Sequence, residues 1–216
     1  MSFGVMIEKL AEGMVTSINI FVVTLVFSLI LGLFVAFGRM SKNFLVSGLF
    51  KGYISIMRGT PLILQLMFIY FGPFFLLDIQ ISQSYKLIAV YIGFVINYAA
   101  YFAEIYRGGI ESMPVGQYEA AKILGFNKTQ TFMRIILPQV IKRILPSITN
   151  EVITLVKDTS IAFALGVSEM FTKAKAIASA ETSVAPYIIA AIFYFIFNFI
   201  VACVMERIEK KMDYYR

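Results

Sequence analysis

Two stretches of the chain set polar side chains at helical spacing within otherwise apolar sequence. In the first, Asn97, Tyr101 and Glu104 recur at i, i+4 and i+7, with Gly108 continuing the line. In the second, Glu151, Thr154 and Asp158 follow at i, i+3 and i+7, flanked by Asn150 and Lys157, with Thr159 and Ser160 just beyond. Residues at these intervals share one helical face. Their chemistry is recognition rather than bond making. Glu151 or Asp158 can meet an ammonium group, while Thr154, Tyr101, Asn97 and the backbone amides near Thr159 and Ser160 can meet a carboxylate. The sequence has no histidine and one cysteine, Cys203, which excludes His-based catalysis, metal ligation and proton relay, and also disulfides and cysteine metal sites. Without a nucleophile–base constellation, an enzyme is the least favoured class.

The elements that carry these stripes are apolar runs. Of the 216 residues 59% are hydrophobic and only 15% charged, and the mean hydropathy is +0.81; a soluble domain carries roughly a quarter charged residues. No Asp, Glu, Lys or Arg occurs in 13–38, 59–77, 87–103 or 182–205. Each run is close to the ~20 helical residues that cross a hydrocarbon core of ~30 Å. We expect an all-α polytopic membrane protein, one transmembrane domain over 1–216, with spans near 13–38, 59–77, 87–106, 144–167 and 184–205 and a cytoplasmic loop over 107–143. The fourth span contains Glu151, Lys157 and Asp158. Ionisable groups inside a span cost ~2.5–3.5 kcal/mol each on insertion scales, so they face a cavity or one another. Pairing of Lys157 with Asp158, or of Glu104 with Arg107, therefore stays an alternative to a polar path. Glu104, near the end of its span, equally suits an interfacial or gate position. Gln65 is the one strongly polar side chain in the run after Pro61 and is a further path candidate.

Charge sets the expected orientation. The segments between spans one and two, between spans three and four, and after span five hold fourteen of the 19 Lys and Arg; the opposite side holds four (Lys9, Lys86, Lys173 and Lys175), and Lys157 lies within a span. Basic segments face the cytoplasm, so the N-terminus is expected outside and the C-terminus inside. The net charge of +6 thereby has a membrane explanation, and no nucleic-acid partner is expected. Acids Glu8 and Glu12 precede the first run, unlike the basic start of a cleaved signal peptide.

The loop 107–143 has its own architecture. Met113-Pro114-Val115-Gly116 should stop span three, Gln117 to Leu124 reads as a short helix, and Gly125 suits a left-handed helix end. Asn127 and Gln130 form a capping pair for a second helix with Phe132, Ile135 and Ile136 on one face. Pro138 and Pro146 are expected to punctuate the return to the membrane. In span two, Thr60 can cap a helix that has Pro61 in its first turn, and Gly72-Pro73 should kink or end it. The Phe- and Tyr-rich positions, among them Phe68, Tyr70, Phe71, Tyr91 and Phe94, are read as lipid contacts and interfacial anchors.

The segment Glu119-Ala120-Ala121, Gly125, Ile136-Leu137-Pro138 resembles the EAA loop by which membrane subunits of bacterial ABC importers grip their ATPases. The stretches 57–62 (MRGTPL), 103–110 (AEIYRGGI), 116–121 (GQYEAA) and 157–160 (KDTS) resemble the polar amino acid subfamily, the histidine, arginine and glutamine permeases. The resemblance implies the type I ABC importer transmembrane fold. It further implies ATPase coupling through Glu119, Ala120, Ala121, Leu124, Gly125 and Phe126. The partners it implies are two ATP-binding subunits, a second copy or a homologous permease, and a periplasmic, extracellular or lipid-anchored amino acid binding protein. It implies a bacterial plasma (inner) membrane. The chain has no G-x-x-x-x-G-K-[ST] loop, so ATP and Mg would belong to the partner ATPase. A surplus of acid in the path tilts the expected substrate toward arginine, lysine or histidine, with glutamine or glutamate as alternatives. An ion-gradient-driven transporter and a membrane scaffold are the rival classes.

Overall fold

With no proline between Phe3 and Arg39, the first apolar run extends its helix outward through the polar lead-in. The result is α1 (Phe3–Arg39), 37 residues long, or roughly 55 Å at 1.5 Å per residue. The computed structural model describes residues 2–212, and among these the elements are helical, without a strand. Met1 and residues 213–216, including Arg216 counted above with the basic tail, lie outside the described residues.

After Arg39 the chain turns into α2 (Phe44–Gly59), whose Asn43 side chain accepts from the Leu45 backbone N–H at 2.9 Å. A break at Thr60–Pro61 then bends it by 110° into α3 (Leu62–Leu77). Here the local expectation changes. Pro61 itself is the N-cap, and the Thr60 hydroxyl donates back to Ile56 O at 2.8 Å. Nor does Pro73 end α3; the helix runs through it and stops at Asp78, whose φ is 53°.

The centre of the bundle is α4 (Tyr85–Glu111). Of its most apolar window 56% is buried, against 17% in α9 (Ala185–Lys211). It packs along α1, and close approach depends on small residues, as expected of helices in lipid. A Cβ added at Gly32 would lie 3.0 Å from Phe102 Cβ and 3.2 Å from Ala99 O. Phe94, expected at the lipid, is fully buried in this core, whereas Phe68 and Phe71 are exposed.

The loop element follows as α5 (Val115–Ile123), α6 (Lys128–Gln130) and a π-helical turn, Thr131–Ile136, that runs directly into α7 (Leu137–Asp158). Pro138 opens α7 and Pro146 lies inside it, so the second proline does not break the helix. At Asp158 the helix tightens into a 3₁₀ segment, Thr159–Leu165, closed by Gly166 at φ 66°. Span 144–167 is thus a composite of two helix types. Among the described residues three helices, α1, α4 and α9, are long and apolar enough to cross a membrane, and the bent pair α2–α3 brings the number to four if it is one span, against the five expected. Helix α8 (Met170–Glu181) covers one end of the bundle between α1 and α9.

Candidate functional site: a polar cavity and a loop pair

Helices α4 and α7 bring the two polar stripes face to face. A cavity of about 390 Å³ opens between them, lined by Asn97, Tyr98 and Tyr101 from α4 and by Glu151, Thr154 and Asp158 from α7. The α2–α3 break contributes Thr60, Pro61 and Leu62, and the 3₁₀ segment Ile161. Two carboxylates and no lysine or arginine line it. Tyr98, buried on α4, donates its hydroxyl to Asp158 Oδ2 at 2.7 Å and so fixes the carboxylate across the cavity.

The helix break would leave carbonyls unsatisfied in apolar surroundings, which is costly. Gln65 and Asn97 meet that need. Gln65 Nε2 donates to Met57 O (3.0 Å), Thr60 O (3.1 Å) and Thr60 Oγ1 (2.8 Å). Asn97 Nδ2 donates to Met57 O (3.0 Å) and Gln65 Oε1 (2.9 Å). Asn97 therefore stands in the cavity wall, while Gln65 is buried behind it and braces the bend.

The remaining path candidates are dispersed. Glu104 accepts from Arg107 Nε at 3.0 Å and Nη2 at 2.7 Å and lies 3.9 Å from Arg58. Its place is a second cavity of about 360 Å³, with Arg39, Lys51 and Arg58. Lys157 is exposed, and Asp158 is met by Tyr98. Thr159 is fully buried with its hydroxyl donated to Val156 O, and Ser160 donates to Lys157 O, both at 2.8 Å.

The loop residues form a compact unit. Helix α5 ends in a Schellman arrangement, Phe126 N–H to Ala121 O and Gly125 N–H to Lys122 O, both 3.0 Å, with Gly125 at φ 79°. Asn127 and Gln130 make the reciprocal capping box. Ala121 is buried against the π-turn side, whereas Glu119, Ala120, Leu124 and Gly125 are exposed and Phe126 is half-buried. Ile123 and Leu124 are 86% and 73% exposed, an apolar tip facing away from the bundle. Arg143 ties the end of α4 to α7 by donating to Ser112 O at 2.6 Å.

Three residues of consequence escape sequence reasoning. Tyr98 and Arg58 act through neighbours that only tertiary packing supplies. The third is Glu169, a fully buried carboxylate that caps α8. It accepts from Phe171 N–H (2.7 Å), Thr172 N–H (2.6 Å), Thr172 Oγ1 (2.8 Å), Tyr194 OH (3.2 Å) and Ser17 Oγ (3.4 Å). Burial pushes this carboxyl above the usual glutamate range, and the donated bonds pull it back. The glutamate joins α1, α8 and α9. Its signal in sequence was only a Glu three residues before Thr172.

A profile of the family described as "Binding-protein-dependent transport system inner membrane component" matches residues 28–214. The chain is 36% identical over 205 residues to a candidate glutamine transport system permease protein of Rickettsia conorii, covering 94% of this chain and 92% of that one. It is 36% identical over 209 residues to the L-cystine transport system permease protein of Bacillus subtilis (95% and 87% covered). To the arginine transport system permease protein of the same organism it is 35% identical over 207 residues (95% and 93%). A crystal structure of an amino acid ABC transporter with histidines superimposes with a TM-score of 0.87 at 30% identity, over 98% of this chain and 99% of that one.

Proposed function

The chain belongs to the family of binding-protein-dependent transport system inner membrane components, and from that premise we propose that it forms the translocation path of an ATP-driven importer of polar L-amino acids, cationic ones favoured. The observation that carries the reading is the composition of the α4–α7 cavity: two carboxylates, Glu151 and Asp158, with hydroxyl and amide donors beside them and no basic residue in its lining. Pockets of a few hundred Å³ with a few convergent polar groups suit small ligands. The names of the relatives, which include arginine, cystine and glutamine permeases, support the amino acid class.

In this reading the five apolar segments cross the bacterial inner membrane with the basic end, bearing Arg39, Arg58 and the loop 107–143, in the cytoplasm. The exposed tip of α5, with Glu119, Ala120, Leu124 and Gly125, seats in a groove of the partner ATPase, which binds ATP and Mg. Helix α5 is joined by the capped Gly125 turn to α6, which runs through the π-helical turn directly into α7, so a displacement of the ATPase is passed to the helix that carries Glu151 and Asp158. Two such membrane subunits, identical or homologous, and an external amino acid binding protein complete the assembly.

Uptake of radiolabelled arginine and glutamine into proteoliposomes holding the whole assembly tests the proposal. With ATP supplied, collapse of the ion gradients by ionophores should leave uptake intact, whereas loss of uptake under those conditions would favour a gradient-driven carrier. Glu119→Ala should reduce co-purification of the ATPase.

A further inference from the structure

Beneath the polar cavity lies the second, smaller one, and the two meet along a shared wall. Consecutive residues line one each: Gly59 the lower and Thr60 the upper; Tyr101 stands in the upper and Glu104, one turn further along α4, in the lower. The lower cavity is basic, because Arg39, Lys51 and Arg58 surround a single acid. That acid, Glu104, is already held by two bonds from Arg107.

Arg58 occupies the boundary. Its guanidinium carbon lies 5.3 Å from the centroid of the Tyr101 ring, and its nearest acid is Glu104 at 3.9 Å, the outer limit of an ion pair. A guanidinium has five N–H donors in a planar fork, and the acid beside this one, Glu104, lies at 3.9 Å and is already held by Arg107. The upper cavity is thus anionic at Glu151 and Asp158, and the cations lie in the cavity next to it, beyond Tyr101.

We propose that Arg58 is the carboxylate anchor of the translocation path, receiving the α-carboxylate of the amino acid while its ammonium group faces Glu151 and Asp158. The inference rests on the importer reading above and deepens it, because it orients the substrate. Charge separation between the two cavities matches a zwitterion, and the carboxylate end then points toward the basic lower cavity. A plainer role exists for Arg58 as a basic residue in the last turn of α2, where any cation suits the helix dipole. The two roles differ in what lysine can do. Lysine satisfies the dipole equally but cannot offer the bidentate fork.

The test is calorimetric titration of the purified complex of this subunit with its ATPase, without the binding protein, using L-arginine, L-glutamine and the α-carboxamide of each. Wild type should prefer each acid over its amide by about tenfold or more, equivalent to about 1.4 kcal/mol. R58Q should reduce that preference to within about twofold and R58K should give an intermediate ratio, as loss of a bidentate charge-assisted pair requires. Thermal melting of each variant checks assembly, and R58K serves alone if R58Q does not assemble. A ratio unchanged in R58Q, or in R58K, overturns the anchor. Equal binding of acids and amides by the wild type overturns the anchor and spares the importer reading. Absence of binding by the wild type to all four probes overturns the cavity reading and the anchor with it.

Discussion

At the scale of single residues, the cavity is organised by hydrogen bonds between helices rather than by the stripes themselves. Tyr98 illustrates this: its hydroxyl donates to Asp158 in the cavity wall. A hydrogen bond to a charged group contributes ~1.5–3 kcal/mol. Tyr98→Phe should therefore weaken amino acid binding by roughly tenfold and also lower the melting temperature of the assembly. Unchanged affinity in equilibrium binding would show that Asp158 does not depend on this bond. Gln65 and Asn97 make a different case, since they share both a bond and an acceptor, Met57 O. Each alanine substitution should destabilise by ~1–3 kcal/mol, and the double variant by less than the sum, because the two belong to one network. A double-mutant cycle read by thermal unfolding in detergent decides it. The spacing of Asn97, Tyr101, Glu151, Thr154 and Asp158 was legible in the sequence as helical faces. The pairing of Gln65 with Asn97 was not, because periodicity within one helix says nothing of the register between helices.

At the scale of elements, short local signals translated well, whereas Pro73 and Pro146 did not end their helices. The capping box at Asn127 and Gln130 and the left-handed Gly125 depend on a few adjacent residues, and both form. Pro73 and Pro146, by contrast, sit inside helices that continue past them; each removes one backbone bond, but packing of the surrounding turns outweighs it. The 110° bend at Thr60–Pro61 was legible only as a helix start, since its angle is set by the amide brace behind it. Close approach between elements yields a sharper prediction. A Cβ at Gly13 would fall 2.7 Å from Met170 Cα, beside the buried Glu169 cap, whereas nothing lies within 4 Å of one at Gly48. Gly13→Ala should cost ~1–3 kcal/mol through overpacking, and Gly48→Ala should be neutral or stabilise α2 by up to ~1 kcal/mol. Melting curves of the two variants side by side test the contrast. Gly125→Ala belongs to the same scale: a left-handed alanine costs ~1–2 kcal/mol, and the expected outcome is weaker retention of the ATPase on purification.

At the scale of the whole molecule, the fold sets a polar cavity between α4 and α7 and an exposed apolar tip on α5, linked through the Gly125 turn and the helical run from Lys128 into α7. Ile123 and Leu124 are exposed at that tip, and α7 carries Glu151 and Asp158. Hydropathy gave an all-α membrane protein, the family resemblance of the loop and the other stretches implied the type I ABC importer transmembrane fold, and the match at TM-score 0.87 agrees with it. Composition alone could not tell which polar residues face one another across the cavity, because that depends on how α4 and α7 are rotated. Nor could it fix the substrate, because the relatives bear the names of permeases for different amino acids. The most direct test of the central claim is saturation binding of radiolabelled arginine to the purified complex of this subunit with its ATPase, for the wild type and for the double variant Glu151→Gln, Asp158→Asn. The account predicts saturable binding that the double substitution weakens by tenfold or more, as removal of ~1.4 kcal/mol or more of ammonium recognition requires. Saturable binding of undiminished affinity in the double variant would contradict it.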